Sequence, residues 1–133
     1  MDYLQVFDIS GSGLDFQKLR LQAVATNLAN VYSTTSKAGA SFKPLMAVAT
    51  AEQTGGALRG VGDMQLVERD VEPRLKYDPA HPHANAEGYV EMPAINPVDE
   101  MTSMMLATRA YEANISVMSA AKTMALKALE IGS

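Results

Sequence analysis

The sequence predicts a mainly α protein with a small β insert: long N- and C-terminal helices paired as an antiparallel coiled coil, joined by a short β or extended middle region. Three observations carry this. Near the N-terminus, Phe7, Leu14, Leu21 and Leu28 recur every seven residues. Tyr3, Val24 and Val31 fall at the companion heptad spacing, interrupted by polar Ser10 and Gln17. Near the C-terminus, Met101, Met104, Thr108, Tyr111, Ile115, Met118, Lys122, Ala125 and Leu129 follow a three-four step. Such a step keeps a stripe on one helical face, and a stripe of this kind needs a partner. Between the stripes, glycine and proline recur too often for a third long helix.

Taken in order, residues 1–31 form the N-terminal helical segment. Asp2 is placed to cap it, and Ser10-Gly11-Ser12-Gly13 is a flaw within it. Each glycine inside a helix costs roughly 1 kcal/mol relative to alanine. The helix is therefore expected to bend at the flaw, or to start firmly only near Leu14. Asn27 and Asn30 come at its end, where asparagine tolerates left-handed backbone. The middle region is 32–97. Residues 32–41 are rich in Ser, Thr, Ala and Gly and read as loop. Residues 42–50 read as a strand pushed to an edge by Pro44. Residues 54–63 contain Gly55, Gly56, Gly60 and Gly62 and read as a turn or loop, with a second strand over 64–71. Pro73, Pro79, Pro82, Pro93 and Pro97 then keep the chain extended, draped over a neighbour. Two to four short strands are expected here.

The C-terminal helix is predicted over 98–133, opened by Asn96 as cap and Pro97 at the first helical position, with Asp99 and Glu100 in the first turn. It is too long for a core of this size. Alanines at 107, 110, 113, 120, 121, 125 and 128 keep its surface slim, so neighbouring helices approach on more than one face. The two terminal helices are expected side by side, with Leu21 or Leu28 against residues 115–129. The middle segment is expected to project outward from them.

Composition narrows function. The formal net charge of −4 is concentrated: Asp63, Glu68, Asp70, Glu72, Asp78, Glu87 and Glu91 face only Arg69, Arg74 and Lys76 in the same stretch. No basic stripe exists, so nucleic-acid binding has no electrostatic footprint. With no cysteine, disulfides, thiol catalysis and cysteine-based zinc sites are excluded. Asp2, Asp8 and Asp15 stand where a cleavable export signal is basic, and no apolar block follows. Nothing approaches a transmembrane span. Among nine methionines, Met101, Met104, Met105 and Met118 sit in the C-terminal helix, where methionine suits adaptable contact surfaces.

Three motifs bear a family resemblance. Ala25-Thr26-Asn27-Leu28-Ala29-Asn30 resembles the N-terminal pattern of flagellar rod, hook and hook-associated proteins. Tyr77-Asp78-Pro79-Ala80-His81-Pro82, followed by Gly88-Tyr89-Val90-Glu91-Met92-Pro93, resembles the middle motif of the proximal-rod type. Val98-Asp99-Glu100-Met101 and Ala107-Thr108-Arg109-Ala110-Tyr111-Glu112-Ala113-Asn114 resemble the C-terminal helix of the same group. The resemblance runs nearly end to end. It implies a structural subunit of the basal-body rod, whose terminal helices pack into a tube spanning the periplasm. That tube transmits motor torque to the hook and carries export substrates. It also implies export without cleavage by the flagellar type III apparatus. The implied partners are copies of itself, other rod proteins, and the adaptor proteins joining the rod to the MS ring and export gate. No cofactor, metal, nucleic acid or membrane insertion is implied. The expected assembly residues are Leu14, Leu21, Val24, Asn27, Leu28, Asn30, Met101, Met104, Tyr111, Asn114, Ile115, Met118 and Leu129, with Asp78, Pro79, His81, Pro82, Gly88, Tyr89 and Pro93 forming the middle motif.

Rival chemistries find little. His81 and His83, near Asp78, Asn85 and Glu87, lack the further ligands and fixed geometry of a metal site, and read as a solvated or interface loop. Asp99 and Glu100 point about 100° apart on a helix and do not converge on a substrate atom. The glycines at 55, 56, 60 and 62 precede no Gly-Lys-Ser/Thr. No catalysis is assigned. The competing reading is a small secretion chaperone or adaptor, with the apolar stripes as client groove. A membrane-surface helix is disfavoured by polar faces poor in Lys and Arg.

Overall fold

The computed structural model describes residues 2–34 and 41–133. Two long helices flank four strands: α1 (Tyr3–Ala29), β1 (Leu45–Thr54), β2 (Ala57–Glu68), β3 (Arg74–Tyr77), β4 (Tyr89–Met92) and α2 (Pro97–Ile131). Most of the predicted loop over 32–41 lies outside the described residues.

The cap residues act as their chemistry dictates. The Asp2 carboxylate accepts the Leu4 N–H at 3.1 Å, and the Asn96 side chain accepts the Val98 N–H at 3.0 Å. Each removes one of the unpaired donors at a helix start. The other end of α1 differs from expectation. Asn30 closes it at φ −106°, ψ 6°, outside the left-handed region, with its N–H bonded to Thr26 and Asn27 carbonyls. Nor does α1 start only near Leu14, for it is helical through both Gly11 and Gly13.

The two helices are antiparallel. Asn27 reaches Glu100 at 3.3 Å, and Gly13 lies against the Asn114 amide. The sequence therefore runs from 27 to 13 on one helix as it runs from 100 to 114 on the other. This register sets Leu21 and Leu28 beside the first turns of α2, not beside residues 115–129 as expected. Continuing it brings Tyr3 level with Met124, so residues 126–131 overhang the start of α1.

β1 and β2 form a hairpin closed by Gly55 (φ 62°) and Gly56 (φ 83°). Two positive φ values in a two-residue loop match the right-handed twist of the flanking strands. Gly60 and Gly62 are not turn residues. They sit inside β2 beside two irregularities in register: Ala49 faces Met64 but Ala51 faces Val61, and Glu52 faces Gly60 but Gln53 faces Leu58. Each step leaves one extra residue on β2, the signature of a bulge. Pro44 precedes β1 and does not interrupt it.

The hairpin does not project outward. Both strands pack along α1, while the antiparallel β3–β4 pair, running from Arg74↔Met92 to Tyr77↔Tyr89, packs on no other element among the described residues. Pro73 and Pro93 bracket this pair, ending the ladder where no N–H is available. The long proline-rich stretch thus contains a ladder after all, one made only of edge strands. β4 alternates as a half-buried strand should, with Val90 and Met92 buried and Tyr89 exposed.

Candidate assembly interface

The seam between the helices is built from small and adaptable side chains. On α2 the covered positions are Glu100, Ala107, Asn114 and Ala121, alternating with Met104, Tyr111, Met118 and Ala125. Ala107 is 0 % exposed and Ala121 is also buried; the others are half-buried. One series of the expected stripe, through Met104, Tyr111 and Met118, therefore faces the chain's own interior. The other is displaced by one residue: Met101, Thr108, Ile115, Lys122 and Leu129 are all exposed. The physical reason is closeness. Asn114 leaves no spare room beside Gly13, where an added Cβ would lie 3.0 Å from its Nδ2. Alanine fits the tightest positions of this seam, at Ala107 and Ala121.

On α1 the heptad positions are covered nearly throughout. Phe7, Leu14, Leu21 and Leu28 are half-buried and Val24 and Val31 are buried. The polar interruptions belong to the packed surface too: Ser10 is buried and Gln17 half-buried. A second face of α1 receives the hairpin through two polar tethers. The Ser12 hydroxyl donates to the Ile9 carbonyl and accepts the Val61 N–H at 3.0 Å. Gly60 lies so near Ser12 that a Cβ there would collide with the hydroxyl oxygen. Asn27, 2 % exposed, holds the start of β1 from both sides. It accepts the Leu45 N–H at 2.7 Å, donates to the Leu45 carbonyl at 2.9 Å, and also donates to Glu100. Its hydrogen-bonding capacity is spent within the chain. Asn30 is half-buried and donates to the Thr26 carbonyl.

The middle motif folds as a compact loop between β3 and β4. Asn85 accepts the Glu87 and Tyr89 N–H groups, and the Asp78 N–H donates to the Gly88 carbonyl at 2.9 Å. Gly88 needs its glycine twice over: φ is 88°, and a Cβ would lie 3.0 Å from the Tyr77 ring and 3.1 Å from Pro79. Tyr77 and Tyr89 meet edge to face at 5.3 Å. Pro93 is buried, Asp78 and His81 are half-buried, and Pro79 and Pro82 are exposed. Among the described residues, no three His, Asp or Glu side chains gather as a metal site would require. No helix there is long and apolar enough to cross a membrane.

Much of what remains uncovered on α2 is apolar. On one flank of the seam lie Met101, Ile115 and Leu129, bordered by Val98, Met105 and Leu126; on the other lie Val117, Met124 and Ile131, with Leu106 behind. Leu129 is 71 % exposed and Met105 67 %. Sequence reasoning missed the outer members of this surface and the Ala107/Ala121 seam. The spacing of those two alanines, with Asn114 midway, is the signal that marks them.

Residues 86–131 match the family model described as flagellar basal body rod FlgEFG protein C-terminal. Over 99 % of both chains the protein is 40 % identical to the flagellar basal-body rod protein FlgC of Salmonella typhimurium (strain LT2). It is 37 % identical to that of Bacillus subtilis (strain 168), over 94 % of this chain and 95 % of the relative. The chain belongs to the FlgC family. It is a structural subunit of the flagellar basal-body rod, and nothing in these comparisons supports the chaperone reading. Within this FlgC-family chain, the uncovered apolar faces of α2 coincide with the part matched by the rod-protein model.

Proposed function

We propose that this FlgC-family chain is a unit of an axial tube, joined to its neighbours through the outer faces of α2. The observation that carries this is the double line of large apolar side chains flanking the helix seam. Surface of that kind on one long helix is the mark of a partner. The seam positions hold each subunit together, while Met101, Ile115 and Leu129 are available to others. The partners that fit are further copies of the chain, other rod proteins and basal-body adaptor proteins. The tube is periplasmic, passes torque to the hook and conducts exported chains. Delivery is by the flagellar type III apparatus without a cleaved signal. The role is structural and non-catalytic, in keeping with relatives that are rod proteins.

The test is substitution of exposed against covered positions in the source bacterium. Met101→Asp and Ile115→Asp should leave synthesis and the monomer's thermal unfolding unchanged, yet abolish swimming, with electron microscopy showing basal bodies that lack a complete rod and hook. Burying an unpaired carboxylate at a subunit contact costs several kcal/mol. Normal swimming by both variants contradicts the proposal.

A further inference from the structure

The β3–β4 pair packs on no other element among the described residues, so what ties it to the end of α1 matters. One tie runs through two histidines. The His83 N–H donates to His81 Nδ1 at 3.0 Å, and His83 Nδ1 lies 2.8 Å from the Thr34 hydroxyl, a few residues past α1. The rings meet edge to face with centroids 5.3 Å apart. We propose that this chain of contacts is a proton-operated latch, with His81 as its switch and the hydrogen-bonded hold on the His83 backbone as its output.

The argument rests on what each nitrogen can do. His81 Nδ1 accepts a backbone N–H only while it carries a lone pair, which places the proton of the neutral ring on Nε2. Protonating His81 puts a hydrogen on Nδ1. Two N–H groups then face each other and the bond cannot exist. The His83–Thr34 contact behaves differently. A hydroxyl either donates or accepts, so that contact survives both charge states of His83. The sensitive group is therefore His81 alone, and imidazole is the side chain that changes charge between about pH 5 and 8. Around it, the cleft is bordered by Tyr32 after α1, Lys76 on β3 and Asp78 at the end of β3. His83 faces His81 across the ring pair.

When the latch opens, the His83 backbone is released from its own loop while its side chain stays on Thr34. The turn that remains rests on the His81 N–H to Asp78 carbonyl and Ala84 N–H to His81 carbonyl bonds. The experiment is a proton and nitrogen NMR titration of the full chain from pH 8 to 5. The His83 amide should shift in step with the His81 ring protons, and its exchange protection, corrected for intrinsic rate, should be lost over the same range. The Tyr89 amide, held by Asn85, should not change. His81→Asn places a carboxamide oxygen where Nδ1 stood and accepts the same N–H at every pH, so protection should become independent of pH. A His83 amide that ignores His81 titration overturns the latch. So does a His81→Asn variant whose His83 amide keeps the wild-type pH response. The wild-type titration decides alone should the variant misfold.

Discussion

Gly11 and Gly13 sit in the same helical turn and are not equivalent residues. Nothing lies within 4 Å of a Cβ added at Gly11, whereas one at Gly13 meets the Asn114 amide at 3.0 Å. Gly11→Ala should therefore stabilise the chain by about 0.5–1 kcal/mol through helix propensity. Gly13→Ala should fall short of that gain, because the Asn114 side chain must give way. Urea denaturation of the two variants decides it, and equal gains would contradict a close approach at Gly13. Asn27→Ala should be the more damaging change. It strands the Leu45 N–H and carbonyl, and each buried unpaired group costs roughly 1–3 kcal/mol. Asn27→Asp keeps the acceptor for the Leu45 N–H but sets a carboxylate against the Leu45 carbonyl and Glu100. It too should lower the denaturation midpoint. None of this is written in local sequence. The SGSG stretch reads as a helix flaw until Asn114 and Gly60 are brought against it, and the meaning of a glycine depends on what stands across from it.

At the level of elements, the helix starts were legible because capping is local: Asp2 and Asn96 satisfy donors two residues away. The bulges in β2 were not, because a bulge is defined by its partner strand, and Gly60 and Gly62 alone look like a turn. The stripe on α2 was half legible. Hydrophobicity selects Met101, Ile115 and Leu129 as well as Met104, Tyr111 and Met118. It cannot say which set faces the near helix and which the far one. The near seam is marked by small size instead. Ala107→Leu should consequently force the helices apart and cost about 1–3 kcal/mol as an overpacked contact. Leu at the exposed Ala113 should be nearly neutral in the isolated chain. Comparing their thermal unfolding checks the seam, and equal effects would misplace it. Met104→Asp, half-buried in the seam, should lower monomer stability, in contrast to Ile115→Asp.

In the whole molecule, the antiparallel pairing was legible from two complementary stripes, whereas its register was not, since heptads slide past one another in steps of seven. The register leaves residues 126–131 without a companion on α1. Amide exchange in the monomer should therefore be fastest there and slowest near Ala107, where both packing and length favour the helix. Strong protection at 126–131 in the isolated chain would mean that this end is covered in some other way. The same pairing also has a consequence in time. Asn27 meets Glu100, and Gly13 meets Asn114, across most of the chain, so the helix seam is the contact of longest sequence separation. Loop closure makes such contacts slow, and none can form before both ends are present. A chain delivered in order from its N-terminus, whether from a ribosome or through a narrow channel, carries α1 and the hairpin for its whole passage with the seam face of α1 uncovered. Completion of the last helix then acts as the trigger for closing that seam.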